Sequence, residues 1–168
     1  NALLHHLPTS DTLPRAGIVH RLDKDTSGLM VIAKTTQSYH FLVDALKEHA
    51  VTRTYVAICC GMIIQSQIID QPIGRDANHR LKMSIREDGK SAITHLKILE
   101  RYKHFSYLKL QLETGRTHQI RVHLKSIGHP ILGDLTYGRK RLIKDSPELN
   151  ALIQNQNTQL LHASELSF

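Results

Sequence analysis

Between Ser91–Arg101 and Phe105–Leu112 only Tyr102-Lys103-His104 intervene. So short a link between two runs of strand-forming residues admits an antiparallel pair and no crossover, because parallel strands need a long connection between them. Within the second run Phe105, Tyr107, Lys109 and Gln111 alternate with Ser106, Leu108, Leu110 and Leu112. Successive side chains of a strand point to opposite faces, so this pair has one apolar face and one polar face. The chain is thereby committed to a sheet packed on one side, whose other side looks onto solvent or a ligand. Thr52–Cys60, rich in β-branched, aromatic and Cys residues, reads as a further strand. It carries Arg53, Tyr55, Ala57 and Cys59 on one face and Thr54, Val56, Ile58 and Cys60 on the other. Leu160–Phe168 resumes the same pattern.

Helical spacing appears in three places. Thr36 is placed to cap a helix running to about Glu48, with Phe41, Leu42, Ala45 and Leu46 as its apolar stripe. After Thr114-Gly115-Arg116-Thr117 breaks the strand, His118–Ile127 reads as a helix closed by Gly128 and stopped before Pro130. There Ile120, Leu124 and Ile127 form the buried stripe, while His118, Arg121 and Lys125 share another face. That face suits a phosphate or a carboxylate, and an ordinary wet helix face would look the same. Ser146-Pro147-Glu148 starts a third helix, with Leu149, Leu152 and Ile153 on its apolar side. Leu3, Leu4 and Leu7 suggest the tail of a helix begun earlier.

With 168 residues, 40% of them hydrophobic, the chain suffices for one domain with a core. Its 22 Lys and Arg against 15 Asp and Glu give a formal charge of +7 and a pI near 9.6, which favours a polyanionic partner. Nucleic acid comes first among polyanions and an acidic membrane surface second. No run reaches the roughly 18 apolar residues of a transmembrane helix, and no signal-peptide pattern is present, so we expect a cytoplasmic protein. The adjacent Cys59 and Cys60 point to opposite faces of their strand and read as reduced packing residues.

Two polar stretches stand out. His20-Arg21-Leu22-Asp23-Lys24-Asp25-Thr26-Ser27-Gly28 lies between apolar Gly17-Ile18-Val19 and Leu29–Ala33, and reads as strand, exposed connection, strand. A solvated turn would share that composition. Asp70–Lys90 gathers Arg75, His79, Arg80, Lys82 and Arg86 with Pro72, Gly74 and Gly89 as breakers, and fits either an RNA-facing insertion or a solvated hairpin.

Several motifs fail on chemistry. Asp23, Asp25, Ser27 and Gly28 match an EF-hand loop until its twelfth place, which must be Glu and is Lys34. An aspartate-based phosphotransferase wants an apolar strand leading straight into its first Asp, and here His20-Arg21 intervene. Among the 12 histidines, His118 and His123 are five apart, about 140° around a helix, and no Cys pair has zinc-finger spacing. No phosphate-cradling glycine loop or dinucleotide fingerprint is present, so a nucleotide cofactor is unsupported.

Taken together, GIVHRLDKDTSGLMVIAK, Arg53-Thr54-Tyr55, TGRTHQIRVH, GHPILGD and Tyr137-Gly138 resemble the catalytic domain of the RluA family of pseudouridine synthases. The resemblance covers essentially the whole chain, with its motifs in order. It implies an α+β fold built on a mixed, largely antiparallel bent sheet with flanking helices. It also implies a cofactor-free isomerase that detaches uracil from ribose in RNA and rejoins it through a ring carbon, the substrate being large-subunit (23S) ribosomal RNA. By the same resemblance Asp23 is the catalytic carboxylate, attacking the ribose or taking a proton from it. Tyr55 is the base-stacking residue and Arg121 the basic partner of Asp23. Arg21 enters the RNA near the flipped nucleotide, with Lys24, Asp25, Arg116 and His118 in support. Flipping fits, since the glycosidic carbon is out of reach while the base is stacked. The leaving uracil stays bound as the next nucleophile, so no metal or cofactor is called for. RNA is the expected partner, and a monomer the expected state.

Relatives of this type carry an N-terminal S4-like RNA-binding domain and an Asn-Lys-Pro strand motif ahead of the region seen here, and a further strand after it. We therefore expect residues 1–168 to be a single domain, the central part of a catalytic domain truncated at both ends, the alternatives being an RNA-binding fragment lacking turnover or a pseudouridine synthase acting on another RNA such as tRNA.

Overall fold

The computed structural model describes residues 5–6, 12–139, 142–144 and 146–168. The helix tail expected around Leu3, Leu4 and Leu7 falls outside them. The strands are β1 (Ser27–Gly28), β2 (Thr52–Cys60), β3 (Gln67–Asp70), β4 (Ile73–Arg75), β5 (Met83–Ile85), β6 (Ile93–Arg101), β7 (Phe105–Leu112) and β8 (Leu161–Ser167). The helices are α1 (Thr36–Lys47), α2 (Gln119–Ser126) and α3 (Pro147–Asn155).

Six strands form one mixed sheet in the order β1-β8-β2-β7-β6-β3, and β4 and β5 pair separately. Every neighbouring pair in the large sheet is antiparallel except β1 with β8. The β6–β7 hairpin forms as its three-residue link requires, with Ile98 opposite Leu108 and Leu96 opposite Leu110. Leu108, Leu110 and Leu112 enter the core with Tyr55, Ala57 and Cys59 of β2, and α2 closes over them with Ile120 and Leu124. Register slips at Thr54/Tyr55 against β8 and at Ile98/Glu100 against β7, each slip marking a bulge that bends its strand. The α+β expectation of a mixed sheet with flanking helices is met.

Local details depart from the sequence reading in four places. The cap of α1 is Thr35 and not Thr36: its side chain accepts the Ser38 N–H while Ser38 caps Thr35 in return. Only Leu42 and Ala45 of the α1 stripe are buried, and Phe41 is exposed. The runs Gly17–Val19 and Leu29–Ala33 are not a pair of strands. They meet at one bridge, Ile18 with Ile32, because Pro14–Gly17 coils into a 3₁₀ turn with Arg15 and Ala16 at positive φ, which ends any extended ladder. Finally, Gln119–Leu124 of α2 are all buried, so the face carrying Arg121 is not wet. The β4–β5 hairpin covers it, laying Ile73, Met83 and Ile85 against Val122 and Tyr137 as a second small core.

Candidate active site

Asp23 opens a tight turn closed by the Thr26 N–H on the Asp23 carbonyl (3.0 Å), with Asp25 at φ 68°. Three attachments hold this turn. Buried Gln159 donates through Nε2 to the Lys24 carbonyl (2.6 Å) and to Thr26 Oγ1 (3.1 Å). Ser27 and Gly28 run parallel to His162 and Ala163 of β8. Upstream, His20 Nε2 accepts the Val31 N–H (3.0 Å), a bond that needs neutral imidazole. Burial first, then the charge of Arg53, hold the His20 pKa below its ordinary value and so keep that acceptor available. Gly28 has φ 110°, and a Cβ there would stand 2.2 Å from the Ala163 carbonyl oxygen, so no other residue fits.

Arg121 reaches this turn from α2, its Nη1 lying 3.5 Å from Asp23 Oδ2. Its tighter partner is Asp134: Nε donates to Oδ2 at 2.7 Å and Nη2 to Oδ1 at 3.0 Å. The Asp134 side chain is wholly buried, that of Arg121 is 6% exposed, and that of Asp23 is 21% exposed. Asp134 Oδ1 also accepts the Thr136 and Tyr137 N–H groups (2.9 and 3.1 Å). Burial pushes the Asp134 pKa up, but the hydrogen bonds and charge of Arg121 and those two amides outweigh it and leave the carboxyl below its usual range. Burial likewise acts against the Arg121 charge, and Asp134 and Asp23 more than offset it. Arg121 is therefore a fixed cation, clamped by one acid and presented to the other.

Asp23 faces a cleft of about 540 Å³, whose walls include Arg21, Arg53, Tyr55, Arg116 and His118. Tyr55 comes from the buried face of β2 and has its pKa raised, chiefly by burial. Arg53 also loses solvation, which lowers its pKa, and its Nε is buried with no hydrogen-bond partner. Arg116 is anchored by Nε to the Ser91 carbonyl (2.9 Å), and its own N–H reaches Gln119 Oε1 (2.9 Å). That Gln119 is buried and bonds Ile93 O, Thr94 and Thr114 as well, bolting the start of α2 to the sheet. The cleft thus sets a single carboxylate among cations, a field that draws in phosphates. Lys24, expected here, projects outside this lining, although its backbone is fixed by Gln159. Among the described residues no three of His, Cys, Asp and Glu gather closely enough to hold a metal ion.

His118, at φ 57°, precedes α2 and places Nδ1 2.7 Å from the Tyr137 hydroxyl. That hydroxyl also accepts the Met83 N–H at 2.8 Å, so it bridges the two residues. Burial lowers the His118 pKa against the opposing pull of Asp23. The Tyr137 ring lies under the Arg121 guanidinium, 5.0 Å from Cζ.

The structure brings Asp23, Arg21, Tyr55, Arg116, His118 and Arg121 together. Sequence reasoning assigned no individual role to Asp134, Gln159, Gln119 or His20. Asp134 alone carried a signal: an acid following apolar Pro130-Ile131-Leu132-Gly133 is destined for burial and so requires a cation.

A profile of the RNA pseudouridylate synthase family matches residues 5–126. The chain belongs to that family. Among curated relatives, the ribosomal large subunit pseudouridine synthase D of Pasteurella multocida (strain Pm70) is 51% identical over 165 residues, covering 97% of this chain and 51% of that protein. The protein of the same name in Vibrio parahaemolyticus is 48% identical over 170 residues, covering 100% of this chain and 52% of its own length. This chain spans about half the length of the curated relatives it matches. Two solved structures share the fold. Human RNA pseudouridylate synthase domain containing 1 has a TM-score of 0.75 at 32% identity, over 88% of this chain and 62% of that one. Human RNA pseudouridylate synthase domain containing 4 has 0.73 at 25%, over 94% and 73%.

Proposed function

We propose that this chain is a single domain carrying the catalytic centre of an RNA pseudouridine synthase that acts on large-subunit (23S) ribosomal RNA in the cytoplasm, as a monomer and without a resident metal. The observation that carries the reading is Asp23, set in a basic cleft 3.5 Å from an Arg121 that Asp134 holds in place. Support comes from the names of the half-identical relatives. No helix among the described residues is long and apolar enough to cross a membrane.

In this reading a uridine swings out of its stack into the cleft and its ring lies against Tyr55. Arg21 and Arg116 hold flanking phosphates. Asp23, oriented by Arg121, attacks the ribose or takes a proton from it, and the bond between N1 of uracil and C1′ breaks. The released uracil turns while still held, and its C5 bonds to C1′. The C5 proton departs, N1 gains one, and the atoms balance as an isomerisation.

The experiment is to incubate the protein with unmodified 23S rRNA transcripts and map pseudouridine by carbodiimide-blocked primer extension. Wild type should give discrete stops. Asp23→Asn, which keeps the shape and removes the reacting oxygen, should give none while binding RNA as before. Product from Asp23→Asn overturns the assignment. A second reading, RNA binding without turnover, draws on the basic walls of the cleft alone, and it predicts equal binding by both proteins with stops from neither.

A further inference from the structure

The β4–β5 hairpin and the Asp23–Arg121 pair are separate pieces of structure, yet one side chain touches both. Tyr137 is 6% exposed and sits in the small core with Ile73, Met83 and Ile85 of the hairpin and Val122 of α2. Its hydroxyl accepts a hydrogen bond from the Met83 N–H of β5 and is hydrogen-bonded to Nδ1 of His118, which lines the cleft. Its ring underlies Arg121 and lies 5.8 Å from Lys125 Nζ. Its backbone amide is held by the same Asp134 oxygen that binds Arg121 Nη2.

We propose that Tyr137 is a positioning residue that couples the β4–β5 hairpin to the Asp23–Arg121 pair, so that the placement of the hairpin sets the geometry of the reacting carboxylate. The claim rests on the proposed synthase activity and goes beyond it, since Tyr137 lies outside the lining of the cleft. The route is short. A shift of β5 moves Met83 N–H, the hydroxyl follows, and with it go the His118 ring in the cleft wall and the aromatic face beneath Arg121. Charge gives the hairpin something to respond to: Arg75, His79 and Arg80 are exposed on it, and Arg86 is paired with Asp88 at 2.7 Å. A polyanion drawn to those cations would press on the element that Tyr137 ties to the catalytic pair. The groups facing Tyr137 are Arg121, Lys125 and His118 of the α2 region, Asp134 beside it in sequence, and Asp23 across the cleft.

Tyr137→Phe tests this by keeping the ring and removing only the hydroxyl. Three quantities are read on the full chain: hydrogen exchange at the Met83 amide, affinity for a 23S rRNA transcript, and the single-turnover rate of pseudouridine formation. In the variant, Met83 exchange should quicken while amides of β2 and β7 keep their protection. RNA affinity should stay within about twofold, and the single-turnover rate should fall on the order of tenfold, the usual scale for a reacting group displaced by a fraction of an ångström. Tyr137→Leu also removes the ring beneath Arg121 and should fall further. Wild-type turnover by Tyr137→Phe refutes the coupling, as does a rate loss matched by an equal loss of affinity. Unchanged Met83 exchange refutes it too. Absence of pseudouridine from wild type condemns the functional reading itself, and the positioning role with it, a result distinct from the other three.

Discussion

Replacing Asp134 by Asn removes one negative charge from a site where it has no water to fall back on. In the native chain that carboxylate makes two charge-assisted hydrogen bonds to Arg121, at 2.7 and 3.0 Å, with both side chains out of solvent. The amide can still accept the Thr136 and Tyr137 N–H groups, but its NH₂ can only oppose an Arg121 donor. Arg121 is then left with Asp23 at 3.5 Å as its remaining acidic neighbour, too far for a good hydrogen bond. Breaking one side of a buried ion pair costs about 3–5 kcal/mol. For a domain of this size, that corresponds to a drop in Tm of about 6–20 °C. The pH dependence has a definite sign. The folded-state pKa of Asp134 is depressed, so its stabilisation is fully present above the unfolded value near 3.9 and is lost as pH falls through the lower folded one. The gap between wild type and Asp134→Asn should therefore be constant from about pH 5 to 8 and close only in stronger acid. Urea denaturation across that range measures it, with Arg121→Leu and the double variant completing a cycle. Additive effects, or a loss under about 1 kcal/mol at neutral pH, would show that the contact is not the anchor we take it for.

Further outcomes follow from the cleft. Tyr55→Phe should keep RNA affinity, whereas Tyr55→Ala should lose about 1–3 kcal/mol, the value of one ring stacked on one base; equal affinities in a filter-binding titration would mark Tyr55 as mere core. RNA binding should fall linearly on a log–log plot against salt, since a chain of charge +7 owes most of its affinity to phosphate neutralisation. A flat line would exclude phosphate contacts at Arg21, Arg53 and Arg116.

What sequence could disclose about this protein follows from the range of the interactions involved. β2 spans the very residues Thr52–Cys60 picked out by their β-branched and aromatic content, and β7 spans Phe105–Leu112, because a half-buried strand writes its burial into alternate letters. The turn at Asp23 was legible as a motif, yet the runs on either side misled. Ile18 and Val31 are strand-like in type, but the Ile18 N–H bonds the Arg15 carbonyl of the turn and the Val31 N–H bonds a histidine ring, neither of which leaves a periodic trace. Arg121 shows the limit of a helical wheel. The wheel assumes one dry side, and α2 has two, the sheet under Ile120 and the hairpin against Val122. Gln159 was invisible for a simpler reason, since nothing in its neighbourhood names a partner at Lys24.

The parallel pairing of β1 with β8 also has a consequence in time. Ser27 bonds to His162, and Lys24 to Gln159, each across 135 positions of chain. A ribosome that has released everything through α3 has already made Asp23, Tyr55, Arg121 and Asp134, but not the strand on which the Asp23 turn is seated. Until residues 159–163 emerge and β8 docks beside β2, that turn keeps only its local bond between His20 and Val31, and loop closure over such a separation is slow. The seating of the Asp23 carboxylate therefore forms only after β8 has been made, long after the turn that carries it.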